Sequence, residues 1–217
     1  GEQSADAGDG GAMGYQGLFY HFLDMNTGLR VWTSELSTID TALLLAGILD
    51  CKQYFNTADP TDVQIRTLAD QIYGRVDWTF VQHPNPVAIK HGWKPESGGF
   101  YINGGAYWTG YNEMMIMYIL AMGSPTHPIP AGAWFTWINT YNWSNPGYGG
   151  TEYLVFPPLF GHQYSHCWID FRHKRDGFMQ SKGSDYFLNS RRATFAQQAY
   201  CIANPGLKPY ANRPDPA

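Results

Sequence analysis

The chain has 217 residues, a formal net charge of −4 and only 15% charged residues, while 44% of its residues are hydrophobic. This length and composition allow a substantial hydrophobic core and exclude extensive disorder. The 14 lysines and arginines are scattered and form no basic stripe of the kind that binds nucleic acid, and no run approaches 18 consecutive apolar residues, so no membrane span is predicted.

The N-terminal part of the sequence predicts a leader followed by a hairpin. Residues 1–14 are rich in Gly, Ala and Asp and predict a flexible leader, typical of a mature end left after a signal peptide is removed. We therefore expect a periplasmic or secreted protein. Two aromatic or β-branched runs, 18–23 and 29–32, flank the turn signal DMNTG and predict a short β-hairpin.

After this hairpin, apolar periodicity predicts a mainly α-helical protein. The predicted helices span 36–50, 61–77, 109–122, 130–140, 160–171 and 187–203. The connecting segments are long and rich in glycine or proline, which is unusual between the helices of a compact bundle and typical of functional loops; they are 79–108, 141–158 and 172–186. We expect paired helices in a single domain, 15–217, with a site at one end.

Aromatic residues are frequent, since 15 Tyr, 12 Phe and 8 Trp make up 16% of the chain. Many of these rings stand beside glycine, asparagine and other polar residues, as in GGFYINGGAYWTGYNE and TYNWSNPGYGG. Rings on polar loops suit hydroxyl-rich ligands, whose C–H faces stack on the rings while their hydroxyls meet side-chain dipoles. A heavy aromatic core is the alternative explanation. The composition therefore indicates sugar binding without deciding it.

Asp40 lies inside the apolar stretch ELSTIDTALLLAG, and a helix that is apolar nearly all round is normally buried on both flanks. Ser37 and Asp40 have the spacing of a capping box, in which Asp40 completes the helix N-terminus. If the cap lies earlier, at Thr33 or Ser34, Asp40 falls in the second turn and should face a polar cavity, because an unpaired buried charge is too costly. The sequence leaves both interpretations open.

Glu113 opens the helix predicted in GYNEMMIMYILAMG. As an ordinary first-turn acid it would interact favourably with the helix dipole. Its neighbours Trp108 and Tyr111 and the apolar residues after it favour a second role, because desolvation raises the pKa of a carboxyl group towards that of a general acid. Two carboxylates that flank a cavity, such as Glu113 and Asp40, are the minimum requirement for a glycosidase.

The segment FGHQYSHCWIDFRHKRD holds the densest group of polar residues. If 160–171 is helical, His162, His166 and Asp170 share one helix face at i, i+4 and i+8. Such a row is consistent with a hydrogen-bonded polar face, with a metal site, or, together with Gln163, with a substrate-facing row. Because no fourth metal ligand is evident in the sequence, we predict neither a metal nor another cofactor.

Several segments, taken together, resemble one family. They are YHFLDMNTGLR, SELSTIDTALLLAGIL, the GYNE helix that runs into LAMGSPTHPIP, PPLFGHQYSHCWIDFR and DYFLNSRRAT. In this order, from about Gly17 to Pro205, they are similar to the glycoamylase-like family of glycoside hydrolases, which includes bacterial endo-β-1,2-glucanases and the C-terminal domain of cyclic β-1,2-glucan synthases. The resemblance implies an (α/α)6 toroid with the active site at the mouth of its inner ring, and inverting hydrolysis of β-glucans without a metal.

The resemblance also implies roles for individual residues. Glu113 in GYNE would be the catalytic acid, and Asp40 in STID would be a cavity carboxylate that binds or positions the sugar. Trp108 and Tyr111 would stack on sugar rings. The remaining site residues would line or close the same cavity: His162, Gln163, His166, Asp170, His21, Asp24 and Arg30.

Members of this family continue through several further helices, whereas this sequence ends at ANRPDPA after about six predicted helices, half of a toroid. We therefore expect a domain truncated at its C-terminus, with an apolar edge that another segment, a second chain or self-association completes. The general base of the family would lie in the missing half. Two functions stay open: hydrolysis of a β-linked glucan, with β-1,2-glucan as the expected substrate, and a non-catalytic glycan-binding or self-assembling protein built on a truncated form of the fold.

Overall fold

The computed structural model describes residues 11–96, 99–100, 106–203 and 205. The chain divides into two compact units. The first contains the described residues up to Thr109 together with Met114–Asn139, and the second contains Gly110–Glu113 and the described residues from Thr140 onward. The grouping of 15–217 into a single helical domain stays a prediction.

The described part of the chain is mainly helical with a few small sheets, as the sequence predicts. The strands are β1 (Gly14–Tyr15), β2 (Leu18–Tyr20), β3 (Leu36–Ser37), β4 (Gln82–Pro84), β5 (Val87–Ile89), β6 (Gly92–Lys94), β7 (Gly99–Phe100), β8 (Trp143–Ser144) and β9 (Tyr153–Leu154). The α-helices are α1 (Thr38–Tyr54), α2 (Pro60–Arg75), α3 (Met115–Met122), α4 (Gly132–Ile138), α5 (Gly177–Ser181) and α6 (Tyr186–Ala203).

A five-stranded antiparallel sheet organises the first unit, in the order β1-β2-β3-β6-β7. Gln16 and Gly17, with φ of 53° and 81°, connect β1 to β2 in a two-residue loop, and positive φ at both positions is typical of a type I′ hairpin turn. The hairpin predicted for 18–23 and 29–32 is not confirmed. Strand β2 pairs with β1 and β3 instead. Between the two predicted runs, the described chain has the isolated antiparallel bridge of Leu23 with Arg30.

The first two helices begin where their capping residues predict. The side chain of Ser37 accepts a hydrogen bond from the Asp40 amide at the start of α1, and Asp59 does the same for Thr61 at the start of α2, where Pro60 occupies the first turn. The predicted spans of 36–50 and 61–77 are therefore confirmed to within a few residues. The two helices pack against each other as a pair.

Helix α1 is apolar nearly all round, but only one side of it is buried and the other side is exposed. Its buried residues are Thr38, Thr41, Ala42, Leu45 and Ala46. On the opposite flank α1 and α2 form an apolar surface groove of about 560 Å³, lined by Leu43, Leu44, Gly47, Ile48, Cys51, Ile65, Leu68, Ala69 and Ile72. Leu44 and Leu68 are exposed there, so the expectation that α1 is covered on both flanks is wrong for this structure.

The other two helices of the first unit form its aromatic core. The helix predicted for 109–122 begins later, at Met115, because Gly110 has a φ of 71° and the residues before Met115 form bends and turns. Tyr118 of α3 is fully buried and stacks on Trp137 of α4, with ring centroids 5.0 Å apart. The prediction of a helix over 130–140 is confirmed by α4.

The predicted helix over 160–171 is wrong, and this affects the candidate site. The segment forms two consecutive 3-10 turns, Leu159–His162 and Tyr164–Cys167. Gln163 joins them with φ −120° and ψ −36°, and its amide donates to the Phe160 carbonyl three residues earlier, as in a 3-10 turn and not an α-helix. The residues at 162, 166 and 170 therefore do not share a helix face.

Two helices complete the second unit. The short α5, which the sequence did not predict, is capped by Asp176, whose side chain accepts a hydrogen bond from the Met179 amide. The long α6 confirms the prediction for 187–203 and packs against the first 3-10 turn and β9. Within the described residues, none of the helices is both long and apolar enough to cross a membrane.

Candidate active site

Asp40 lies in the first turn of α1, hydrogen-bonded to the cap residue Ser37, and presents a carboxylate to solvent. Its amide donates to Ser37 Oγ at 3.1 Å, and the Ser37 hydroxyl donates back to Asp40 Oδ2 at 2.5 Å. The helix is therefore capped at Ser37 and not earlier, at Thr33 or Ser34, which places Asp40 in the first turn. The Asp40 side chain is nevertheless 45% exposed. Its carboxylate is therefore accessible to a ligand in spite of its contact with Ser37.

His21 links two carboxylates beside the start of α1. Its Nδ1 lies 2.9 Å from Glu35 Oε1, and its Nε2 lies 3.4 Å from Asp40 Oδ2. The structure thus brings His21 and Asp40 together, as expected for two residues of one site. Glu35 was not identified from the sequence, and the signal for it is its position directly before strand β3 and two residues before the cap residue Ser37.

The prediction that Arg30 contacts a substrate is wrong for this structure. Its side chain is 2% exposed and lies over the Tyr20 ring, 4.4 Å from the centroid. Its Nη1 and Nη2 donate to the two carboxylate oxygens of Glu96, and its Nε donates to the Ser34 carbonyl at 2.7 Å. A guanidinium group held in this way is a structural anchor for the loop before β3.

Asp24 and Trp108 also have protein partners in the first unit. Asp24 Oδ1 accepts hydrogen bonds from the amides of Asn26 and Thr27, and these bonds lower the pKa of its carboxyl group, which identifies Asp24 as a turn residue. Trp108 donates its indole N–H to Thr38 Oγ1 at 3.1 Å, and its ring lies 4.2 Å from that of His91. Trp108 is half-buried, and His91 packs against its ring. Stacking of a sugar on Trp108 stays a prediction.

Glu113 belongs to the second unit, in the four-residue segment Gly110–Glu113. The Gly110 amide donates to Thr140 Oγ1 at 2.7 Å, and Ser165 Oγ donates to the Glu113 carbonyl at 3.2 Å, so hydrogen bonds hold the segment near both of its ends. Glu113 is half-buried and its Oε2 is hidden from solvent. Burial of a carboxylate oxygen on a fixed backbone is the environment expected for a catalytic acid.

Tyr111, the second residue of this segment, is buried and not available for sugar stacking. Its ring is 5.0 Å from that of His162 and lies parallel to Tyr186, with centroids 6.3 Å apart. Its hydroxyl bonds to Asn189, and burial raises its pKa. The prediction that Tyr111 stacks on a sugar ring is therefore wrong here, because its faces pack against protein rings.

His162 is likewise a core residue and not a cavity residue. It is 1% exposed, and its Nε2 donates to the Phe156 carbonyl at 3.1 Å while its Nδ1 faces the Asn189 amide group at 3.5 Å. This pattern defines a neutral imidazole protonated on Nε2. Burial lowers the pKa of His162 to about 4. The prediction of substrate contact is wrong because both ring nitrogens face protein groups.

The buried His162 predicts acid sensitivity of the fold. Between its unfolded pKa of about 6.5 and its folded pKa of about 4 the unfolded chain binds more protons, so the free energy of unfolding should fall by about 3 kcal/mol as the pH drops through this window. Urea denaturation at pH 7 and pH 4.5 measures this loss. His162→Gln should reduce it, whereas the same change at the exposed His127 should not; equal acid sensitivity of all three proteins would contradict the assignment.

Gln163, His166 and Asp170 lie around two neighbouring surface cavities of the second unit. Gln163 and His166 line one of about 270 Å³, and His166 and Asp170 line another of about 370 Å³. Asp170 is bound by the Arg172 guanidinium at 2.9 and 2.6 Å, which holds the pKa of its carboxyl group well below the usual range. Burial lowers the pKa of His166, whose Nε2 is buried and has no hydrogen-bond partner among the described residues.

The described residues contain no group of three His, Cys, Asp or Glu side chains arranged to hold a metal ion. The second unit does contain the Glu113 carboxyl group on a segment held by hydrogen bonds, together with amide and imidazole groups at surface cavities. These are groups that bind and protonate neutral polar ligands.

The sequence profile of the Glycoamylase family, described as "Putative glucoamylase", matches residues 105–212. A curated protein of Parabacteroides distasonis, the exo β-1,2-glucooligosaccharide sophorohydrolase (non-reducing end), is 28% identical over 88% of this chain. These matches confirm the resemblance to the glycoamylase-like family.

Solved structures share the fold. A glucoamylase of Bacteroides caccae, so named provisionally, matches with a TM-score of 0.78 and 27% identity over 92% of this chain. An endo-β-1,2-glucanase from Chitinophaga pinensis, crystallised with sophorotriose and glucose, matches with a TM-score of 0.75 and 24% identity over 92% of this chain. The chain spans 49% of each of these two solved chains and 30% of the curated relative.

Proposed function

We propose that this chain is part of a glycoside hydrolase that cleaves β-1,2-linked glucan, with Glu113 as its general acid. The observation that carries the proposal is the match of 88% of the chain to a relative whose name describes cleavage of β-1,2-glucooligosaccharides. The environment of Glu113 supports it, because a half-buried carboxyl on a hydrogen-bonded segment can hold a proton for a leaving group. Gln163 and His166 would bind sugar hydroxyls at the neighbouring cavity.

The proposed chemistry is an inverting displacement. The Glu113 carboxyl group gives its proton to the glycosidic oxygen, the bond from that oxygen to the anomeric carbon breaks, and water attacks the anomeric carbon from the opposite face. A base removes one proton from the water, so that one hemiacetal and one released hydroxyl are formed for each bond cleaved. A carboxylate is the expected base, by analogy with the usual pair of acids in such enzymes.

We further propose that the helices of this chain form about half of an (α/α)6 toroid. Support comes from the solved B. caccae protein, which matches 92% of this chain and of which this chain covers 49%, so that protein has a further stretch of about the same length. The open apolar groove between α1 and α2 also supports the proposal, because soluble proteins rarely leave such a surface uncovered.

Incubation of the purified chain with β-1,2-glucan tests the proposed activity. We expect new reducing ends, and ¹H NMR should show the α-anomer of the new reducing end first, because inversion at a β-linkage yields it. A β-1,3-glucan is the matched control and should not be cleaved. Absence of reducing ends at high protein concentration would contradict hydrolysis by this chain on its own, and initial formation of the β-anomer would contradict inversion.

The second candidate function is a non-catalytic glycan-binding or self-assembling protein. The same groove between α1 and α2 favours it, since Leu44 and Leu68 are exposed and a second copy of the chain would cover them. Light scattering distinguishes the two functions. Stable oligomers that bind β-1,2-glucan without releasing reducing ends would support the second function, whereas turnover by the chain would exclude it.

A further inference from the structure

The loop between β2 and β3 presents an exposed aromatic pair that no proposed role accounts for. Trp32 is 80% exposed and Phe22 is 45% exposed, and their rings meet edge to face with centroids 5.3 Å apart. Trp32 also has a φ of 54°, a left-handed backbone conformation in which a bulky residue is a genuine outlier. A large apolar ring therefore stands in solvent on strained backbone.

The strain at Trp32 is held in place by the loop around it. On one side Arg30 is anchored through Glu96, and on the other the Ser34 hydroxyl donates to the Phe22 carbonyl at 3.3 Å. The Val31 amide also donates to the Phe22 carbonyl, at 3.2 Å. Because the Trp32 ring is mostly exposed, its burial contributes little free energy to offset the cost of the strained backbone. Backbone strain of this kind is concentrated at functional positions.

Polar groups continue the aromatic surface on its other side. The Phe22 ring stacks on the His21 ring, with centroids 4.1 Å apart and planes inclined by 14°. His21 in turn contacts Glu35 and the exposed Asp40. Apolar rings and hydroxyl-binding carboxylates thus form one continuous surface within the first unit, through the contacts Trp32–Phe22–His21–Asp40.

We propose that this surface is a sugar-binding subsite that takes one glucosyl unit of a β-linked glucan. The C–H face of the pyranose ring stacks on Trp32, and its hydroxyls donate to the Asp40 and Glu35 carboxylates at the polar edge. The two carboxylates disfavour anionic ligands such as phosphates. Only the identity of the sugar rests on the proposed function; the subsite itself rests on the loop geometry.

Binding of β-1,2-glucooligosaccharides to the chain, measured by calorimetry, tests the subsite. Trp32→Ala should raise the dissociation constant by about tenfold or more, as expected for loss of an aromatic anchor. Trp32→Phe should retain part of the affinity. Met25→Ala is the matched control, because Met25 lies in the same loop, is 99% exposed and should leave the dissociation constant unchanged.

A second variant separates binding from a structural role. Trp32→Gly relieves the left-handed strain, so we expect an unchanged or higher melting temperature together with loss of sugar affinity. A lower melting temperature with unchanged sugar affinity would overturn the proposal and make Trp32 a packing residue. Choline, a quaternary ammonium cation, serves as a second probe of the aromatic pair. If the parent chain binds choline and Trp32→Gly loses choline binding while its sugar affinity is unchanged, the rings bind a cation and the proposal is overturned.

The outcomes distinguish the subsite from the proposed hydrolysis. If the chain cleaves β-1,2-glucan and Trp32→Ala alters neither affinity nor KM, the subsite is wrong while the function stands. If the chain binds the oligosaccharide through Trp32 but releases no reducing ends, the subsite stands while the hydrolase proposal fails. A change of oligomeric state in Trp32→Ala without a change in sugar affinity would overturn the subsite in favour of a protein contact.

Discussion

Replacement of Glu113 by glutamine is expected to reduce the rate of β-1,2-glucan hydrolysis by about 10²–10⁴-fold, the usual contribution of a general acid. The amide has almost the same size and can still accept and donate hydrogen bonds, but it has no acidic proton to give to the glycosidic oxygen. The fold should survive, because the bond from Ser165 goes to the backbone carbonyl of Glu113 and does not depend on the side chain.

The leaving group of the substrate makes this test specific for acid catalysis. An aryl β-glycoside with a nitrophenolate leaving group departs without protonation, so Glu113→Gln should cleave it far better, relative to the parent chain, than it cleaves the natural glucan. Glu152→Gln is the matched control in the same unit, since Glu152 is exposed and bonds to the Trp143 indole. It should leave both rates unchanged.

Two results would contradict the assignment of Glu113. If Glu113→Gln cleaves the natural glucan at the parent rate, the acid is another residue. Equal losses on the natural and the aryl substrate would instead indicate that Glu113 positions the sugar and does not protonate it. Circular dichroism of the variant distinguishes either outcome from simple unfolding.

The sequence predicted correctly the two helices that begin at recognisable capping residues. Asp59 and Pro60 fix the start of α2, and the Ser37 hydroxyl fixes the start of α1, so both helices could be placed from the sequence. The same signals failed for 160–171, where apolar spacing favours a helix. Its backbone instead takes 3-10 hydrogen bonds, and Gly161 packs so close to Phe156 that a side chain at this position would collide with the ring.

Burial explains why some candidate site residues were predicted and others were not. The spacing of Ser37 and Asp40 located Asp40 in the first turn of α1, and Gln163 and Asp170, predicted to line a cavity, are exposed residues beside surface cavities. Polarity alone could not reveal that His162 is neutral and buried, because its partners Phe156 and Asn189 are 6 and 27 residues away in sequence. Arg30 was misjudged for the same reason, since Glu96 is 66 residues away.

Gly17→Ala is expected to destabilise the chain by about 3–5 kcal/mol, enough to unfold a marginal domain. Two costs add here. A Cβ at this position has to occupy left-handed backbone, at φ 81°, and it would lie less than 3.0 Å from the Arg75 carbonyl oxygen and the Val76 Cα. Backbone atoms at the end of α2 cannot move aside as a flexible side chain would, so the clash distorts the turn between β1 and β2.

Gly28→Ala isolates the first of these costs. Gly28 has a similar φ of 70°, but its Cβ would meet only the flexible end of Met13, at 3.8 Å. It should therefore cost about 1–2 kcal/mol, the conformational penalty alone. Urea denaturation of both variants measures the difference, and equal losses would show that the close approach to α2 contributes nothing. A larger loss at Gly17 would show that the close approach of the turn to the end of α2 adds to the conformational penalty.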